Sequence, residues 1–304
     1  MRFLAAWLVL LLASGFGAAE TFRVATYNVE NYLDVPTESR RQVKSPESKA
    51  KVRESILAIR PDVLALQEMG APSALEELQN SLKKDGLELP YAEHVHGFDT
   101  NVHLAILSRF PFTTVKPHTN DNFLLGGKRF RVSRGFGEVE IKVSPNYTFT
   151  LINAHLKSKR PIPQADEAEL RLEEAKLLRE KVDTLLAANP NLNLVVLGDL
   201  NDHKAAEPTK TVIGRGKHKL IDTRPAEKNG DNPQPAARDN GLRNITWTQH
   251  YGAEDAYSRF DYLLLSAGMA REWIKDQTYV LALPDWGLAS DHRPLVATFE
   301  AEDK

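Results

Sequence analysis

Leu194-Val195-Val196-Leu197-Gly198-Asp199-Leu200-Asn201-Asp202 is an apolar run that stops at a glycine and delivers two carboxylates and an amide into the following turn. Four aliphatic residues in succession suit a strand covered on both faces, because a strand with one wet face would alternate. Gly198 allows a tight backbone where the run ends. Asp199 and Asn201, two positions apart, can point to one side, which makes this stretch far more specific than a lone carboxylate.

The same grammar extends outward in both directions. Runs at 22–27, 63–67, 104–107, 136–143, 149–154, 193–197, 259–265 and 295–299 all read as strands, and 138–143 alternates as a strand with one solvated face does. Helical spacing is confined to 48–59, 73–82 and 164–188. The last carries Leu170, Ala175, Leu178, Val182 and Leu185 inside a dense Glu/Lys/Arg run that reads as a solvated face. Polar stretches at 35–46 and 225–244 read as surface loops, since strands of one character continue on both sides. Many strands with few helices predict an α+β architecture of two packed sheets flanked by helices.

Bulk composition bounds the function. The 304 residues are 26% charged and carry a net charge of −2, so no global positive field gathers nucleic acid, and any polyanion must be gripped locally. There are no cysteines, which excludes a disulfide framework and a lipid-anchored Cys. Arg2, the apolar run 3–12 and Gly17-Ala18-Ala19 form the pattern of a cleaved leader, so a signal peptide is expected at 1–19 and a single domain at 20–304. An uncleaved anchor or a buried first helix is the alternative. Export places the protein in the periplasm or outside the cell. Removing Arg2 with the leader leaves the mature charge at −3.

Polar residues gather where apolar runs end, which is where side chains converge on the rim of a strand-built scaffold. Asn28 and Glu30 follow the first run, where an Asn turn would explain them equally well. Gln67 and Glu68 close the second; an unpaired carboxylate there is costly, and a metal ion, a helix N-terminus or an arginine could satisfy it. His155 precedes Lys157, Lys159 and Arg160, as a donor to phosphoryl oxygen beside offsetting cations or as a structural histidine before a wet basic loop. Asp261 lies in an apolar strand and calls for a His or metal partner, and Asp291-His292 could divide between metal and phosphate. His94, His96 and His103 read mainly as ordinary loop or strand histidines.

Taken together, TYNVEN (26–31), DVLALQE (62–68), HLAILSRFP (103–111), NAHLKS (153–158), VVLGDLND (195–202), SRFDYLLLS (258–266) and SDHRP (290–294) resemble, in order and over nearly the whole mature chain, the endonuclease/exonuclease/phosphatase superfamily of DNase I-like hydrolases, in an exported bacterial-type form. The resemblance implies a four-layer α/β/β/α sandwich with two mainly antiparallel sheets face to face and the active site on one rim. It implies metal positions at Glu68, Asn28, Asp291 and Glu30, for Mg2+ or alternatively Mn2+ or Ca2+. It places His155 on phosphate, Asp199 and Asn201 on the attacking water and scissile phosphate, and Asp261 behind His292. Arg134 is the preferred phosphate-gripping arginine, with Arg131 the alternative, and Asn28 is assigned to substrate as well. The implied function is metal-dependent phosphate-ester hydrolysis by a monomer without a stable membrane anchor, with nucleic acid the favoured substrate and sphingolipid or a small phosphomonoester the alternatives. Dinuclear metallophosphatases share a GD word but also carry a later Gly-Asn-His word that is absent here. A non-catalytic binding module would be expected to have lost Asp199 or His292, and both are retained.

Overall fold

The computed structural model describes residues 20–227 and 246–304. The expected leader at 1–19 and most of the 225–244 loop lie outside the described residues. In chain order the elements are β1 (Thr21–Tyr32), α1 (Pro46–Ile59), β2 (Val63–Met69), α2 (Pro72–Lys84), β3 (Tyr91–Val95), β4 (His103–Ser108), β5 (Phe112–His118), β6 (Asn122–Leu125), β7 (Lys128–Arg131), β8 (Phe136–Ser144) and β9 (Tyr147–His155). There follow α3 (Glu167–Ala188), β10 (Leu194–Asp199), α4 (Glu207–Ile213), β11 (Ile221–Asp222), β12 (Ala226–Glu227), β13 (Gln249–Tyr251), β14 (Ala256–Ser258), β15 (Asp261–Leu265), β16 (Trp273–Val280) and β17 (Leu295–Glu300).

Two sheets carry the architecture, one in the order β12-β16-β17-β1-β2-β4-β3 and one in the order β11-β15-β10-β9-β8-β5. Each has a parallel pair near its middle, β1 with β2 and β9 with β10, among mainly antiparallel neighbours. Alternation of strand side chains sorts the core into layers. Phe22 and Val24 of β1 meet Val195 and Leu197 of β10 between the sheets. Ala25, Tyr27 and Val29 turn outward under α1 and α2, and Leu194 and Val196 turn outward under α3 and α4. Phe22 anchors the middle layer, with its ring centroid 5.1 Å from Phe149 and 5.6 Å from Phe299. The four-layer sandwich expected from the sequence is the observed fold. No helix among the described residues is long and apolar enough to cross a membrane.

Several boundaries differ from expectation for local reasons. α3 begins at Glu167 rather than 164, because the Asp166 carboxylate accepts from the Ala168 and Glu169 amides and caps it there. Its charge run is not wholly solvated: Arg171, Glu174 and Arg179 are buried and bind loops that cross the helix. The strand expected from 259 starts at Asp261, so this carboxylate stands at the strand's entrance and not in its interior. β5 and β16 carry no apolar run that marks a strand, because they are half-exposed and largely polar. Segment 35–45 carries no helix or strand, as expected, while Ala226–Glu227 forms a short edge strand.

Candidate active site

The parallel pairs end on one rim, and their last residues face each other across it. In the second sheet Asp199 stands in register with His155 on one side and Asp261 on the other, a continuous row across three strands. The row requires Gly198: its φ is +125°, and a Cβ there would lie 1.9 Å from the Ala154 carbonyl oxygen. The first sheet brings Asn28 in register with Gln67, and Glu68 follows.

Below the row the two sheets are joined by buried amides. Gln67 Nε2 donates to Asn153 Oδ1 at 2.7 Å, and Asn153 Nδ2 donates to the Leu66 and Ala105 carbonyls at 3.0 and 3.1 Å. Gln67 also exchanges hydrogen bonds with the Thr26 hydroxyl. Gln67 and Asn153 are both fully buried, so removing either leaves its partner unpaired, at about 1–3 kcal/mol.

On this floor sits a chain of titratable groups. Asp261 Oδ2 accepts from His292 Nδ1 at 2.7 Å, and His292 Nε2 lies 3.7 Å from Asp199 Oδ2. Asn28 Nδ2 donates to the same Asp199 oxygen at 3.1 Å, and His155 Nε2 is 3.5 Å from it. Asp199 Oδ1 accepts from the Asn201 amide at 2.8 Å, while the Asn201 side chain donates to the Leu156 carbonyl at 3.0 Å. Ser290 fixes the final segment, donating to the Asn28 carbonyl at 2.7 Å and accepting from the His292 amide at 3.0 Å. Thr248 Oγ1 accepts from the Phe260 and Asp261 amides and holds the entrance of β15.

The electrostatics follow from burial and crowding. Burial raises Asp199; the His292 charge opposes this and Asp261 adds to it, leaving the carboxyl at about 7. Burial pulls His292 down, but Asp261, Asp291 and Asp199 outweigh it and hold the imidazolium well above its ordinary value. His155 goes the other way: burial and the charges of Arg134, His292, Arg40 and Lys157 keep it neutral. One buried row therefore holds a cationic and a neutral imidazole on either side of one carboxylate.

The turns just beyond the strands carry the remaining carboxylates. Glu68 Oε2 accepts from the Asn31 amide at 3.0 Å, and Glu30 Oε2 accepts from the Asp291 amide at 3.1 Å. Glu30, Asn31, Glu68 and Asn201 all have positive φ, between 42° and 60°. Such clustering of backbone strain at one rim is typical of sites whose side chains must be aimed. Burial raises Glu30, the Asp291 and Glu68 charges add to that, and Lys44 opposes it. Lys44 Nζ donates to the Glu30 carbonyl at 2.9 Å. Glu30 is coupled electrostatically to Asp291 and Glu68, and carboxylate and amide oxygens of this kind, with surplus negative charge, suit a hard dication. Asn28 Oδ1 already accepts from the Glu30 amide at 3.0 Å, leaving its second lone pair for a ligand. Among the described residues, the Asp, Glu and His side chains whose potential ligand atoms all lie within 4.8 Å of one another are Asp199, Asp261 and His292; Glu30, Glu68 and Asp291, expected to share a metal, are not brought that close to one another.

Arg134 lies on the His155 side, buried, with Nε 3.3 Å from Asp99 Oδ2. His103 stacks on His96 with ring centroids 4.5 Å apart and meets His94 at a tilt at 4.9 Å, and His94 Nε2 contacts the Gly70 carbonyl at 2.8 Å. Gln67, marked in the sequence only as a strand end, and Asn153, Thr248, Ser290, Lys44 and Glu174 turn out to support the site. A signal existed for Gln67 and Asn153, which interrupt otherwise apolar strands.

Residues 25–292 match the model of the Endonuclease/Exonuclease/phosphatase family. The fold is similar to truncated Caenorhabditis elegans TDP2, at 18% identity and TM-score 0.58 over 92% of this chain and 98% of that one. It is also similar to the human Nocturnin catalytic domain with bound sulfate anion, at 17% identity and TM-score 0.62, covering 93% and 95%. Sphingomyelinase C from Streptomyces griseocarneus gives 17% identity and TM-score 0.58, covering 93% and 100%. Comparison with curated proteins by sequence finds no match. With the family model spanning every rim residue from Asn28 to His292, the chain belongs to the endonuclease/exonuclease/phosphatase family.

Proposed function

We propose that this protein is a divalent-metal-dependent phosphodiesterase that hydrolyses phosphate esters by in-line attack of water, with nucleic acid the favoured substrate. The observation that carries this reading is Asp199, held by Asn28 and Asn201 between a neutral and a charged imidazole on a dry floor. With its carboxyl raised toward neutrality, Asp199 is matched to accept a proton from water near pH 7. His292, kept charged and aimed by Asp261, donates to an oxygen that gains charge as the ester breaks. His155 donates as a neutral imidazole from the opposite side, and Arg134 supplies a fixed positive charge beside it. Glu68, Asn28, Asp291 and Glu30 would hold the metal, magnesium by preference. When bound, such an ion stabilises negative charge on phosphoryl oxygens as a Lewis acid.

A second reading, cleavage of a phospholipid headgroup, is favoured by one observation. The β13–β14 hairpin beside Asp291 exposes Tyr251 and Tyr257, at 50% and 55%, and Leu288 lies exposed in the turn before Ser290. Plasmid nicking and sphingomyelin hydrolysis, each with Mg2+ and with EDTA, separate the two. The phosphodiesterase reading fails if neither substrate, nor bis(p-nitrophenyl) phosphate, is cleaved in any divalent metal. Export to the periplasm or medium is part of the proposal, and N-terminal sequencing of the mature protein should begin at Glu20.

A further inference from the structure

Beside His155 opens a cavity of about 870 Å3 whose walls come from five separate segments: 39–40, 98–101, the β7 strand with its following loop, 157–163, and Leu170 and Glu174 of α3. Its size suits a nucleotide unit. The wall charge runs against that of the chain. Arg40, Arg129, Arg131, Arg134, Lys157 and Arg160 line it, and the two carboxylates present are already committed. Asp99 accepts from the Asn101 and Val102 amides and faces Arg134; Glu174 accepts from the Ser133 and Lys157 amides.

Three features mark the cavity as built for an anion. Arg134 is 7% exposed; its Nε side pairs with Asp99 at 3.3 Å, while its buried Nη1 makes no hydrogen bond and is open to a ligand oxygen. Arg131 and Arg160 are exposed and have no carboxylate partner among the described residues. Phe98 is 60% exposed on the same wall, with the Arg131 guanidinium 5.3 Å from its ring centroid, which offers two flat surfaces to a base. A quaternary ammonium headgroup would face a wall on which six cations outnumber two already engaged carboxylates.

We propose that this cavity is a second anion subsite, which holds a phosphate next in line to the one being cleaved and stacks its base against Phe98, so that the substrate is a nucleic acid strand. The inference rests on the phosphodiesterase reading of the rim and extends it from one phosphate to two. Arg134, between His155 and the cavity, is the link that both phosphates share.

The test compares two dinucleotides with the same scissile diester, one bearing an extra terminal phosphate. The extra phosphate should raise kcat/KM about tenfold or more, the scale of one charge-assisted contact. The double variant R131A/R160A should erase that preference. Equal kcat/KM in the native protein overturns the subsite and leaves the phosphodiesterase reading intact, whereas absence of hydrolysis with either dinucleotide counts against the latter. A second arm needs no turnover: anisotropy of a fluorescein-labelled single strand on EDTA-treated protein. R131A/R160A should weaken binding about tenfold and flatten the log Kd against log salt slope by roughly 1.4, about 0.7 per lost phosphate contact. Unchanged affinity and slope overturn the proposal. Displacement of the strand by inorganic pyrophosphate at equal concentration overturns the strand assignment in favour of a small polyphosphate.

Discussion

Asp199 and Asp261 stand at strand ends, each 1% exposed, whereas Glu30, Glu68 and Asp291 lie on the turns just beyond and keep part of their surface in solvent. The first pair is held by the sheet ladder and by neighbouring side chains that meet it at hydrogen-bond distance. In the second set Glu30 and Glu68 are left-handed and each is held by a single backbone amide, while the Asp291 carboxylate accepts from the Gln249 side-chain amide at 3.3 Å. The difference suits the two roles proposed above. A group that moves protons gains from desolvation, which brings its pKa near the working pH. A group that receives a hydrated ion must stay open to water and keep its charge.

The largest effect expected on this contrast comes from stripping the outer set of its ion. EDTA should abolish hydrolysis and Mg2+ should restore it, with the far-UV circular dichroism unchanged, because the floor is held by amides and not by metal. Loss of the fold on chelation would erase the distinction between the two sets. Next, Asp199→Asn should lower kcat roughly a hundred- to ten-thousandfold with little change in metal affinity by calorimetry. Glu68→Gln should do the converse, weakening metal binding and recovering activity at high Mg2+. If both variants behave alike, the carboxylates form one set and not two.

His292 and His155 sharpen the contrast within the buried row. 15N NMR of the metal-free protein at pH 7 should show His292 as imidazolium and His155 as neutral imidazole. The signs for stability are opposite. His155 has a depressed folded pKa, so below its ordinary 6.5 the unfolded chain takes up a proton that the folded chain refuses, at up to about 1.4 kcal/mol per pH unit. His292 has a raised folded pKa, so its contribution is complete below 6.5 and is lost as pH climbs through the raised value. Denaturant titrations of His155→Asn should show a weaker loss of stability on acidification than the native protein. The smallest effect is expected at Asn153→Leu, roughly 1–3 kcal/mol of destabilisation, read as a lower denaturation midpoint.

Much of the buried row was legible in the sequence, for a physical reason. Residues such as Asp199, His155 and Asp261 interrupt or end continuous aliphatic runs, and a polar group there must be satisfied by something distant in the chain. The buried polar row at the rim could thus be read from 195–202, 153–158 and 258–266 without coordinates. The edge strands β5 and β16 were not legible, since an edge needs no apolar run on both faces. Nor was the buried polarity of α3. Arg171 and Glu174 look like neighbours in a solvated charge ladder, and only the passage of the 133 and 157 loops over the helix turns them inward. Lys44 and Phe98 sit in polar loops with no periodicity, and their placement depends on tertiary contacts alone.

The amide tie between Gln67 and Asn153 has a mechanical consequence. It pins one sheet to the other beneath the buried row, so Asn28 and Asp199, contributed by opposite sheets, keep a fixed gauge between them. Such a clamp leaves no soft hinge under the cleft. Heating should therefore switch off turnover at the temperature where the sandwich itself melts, with no earlier, cooler step of inactivation.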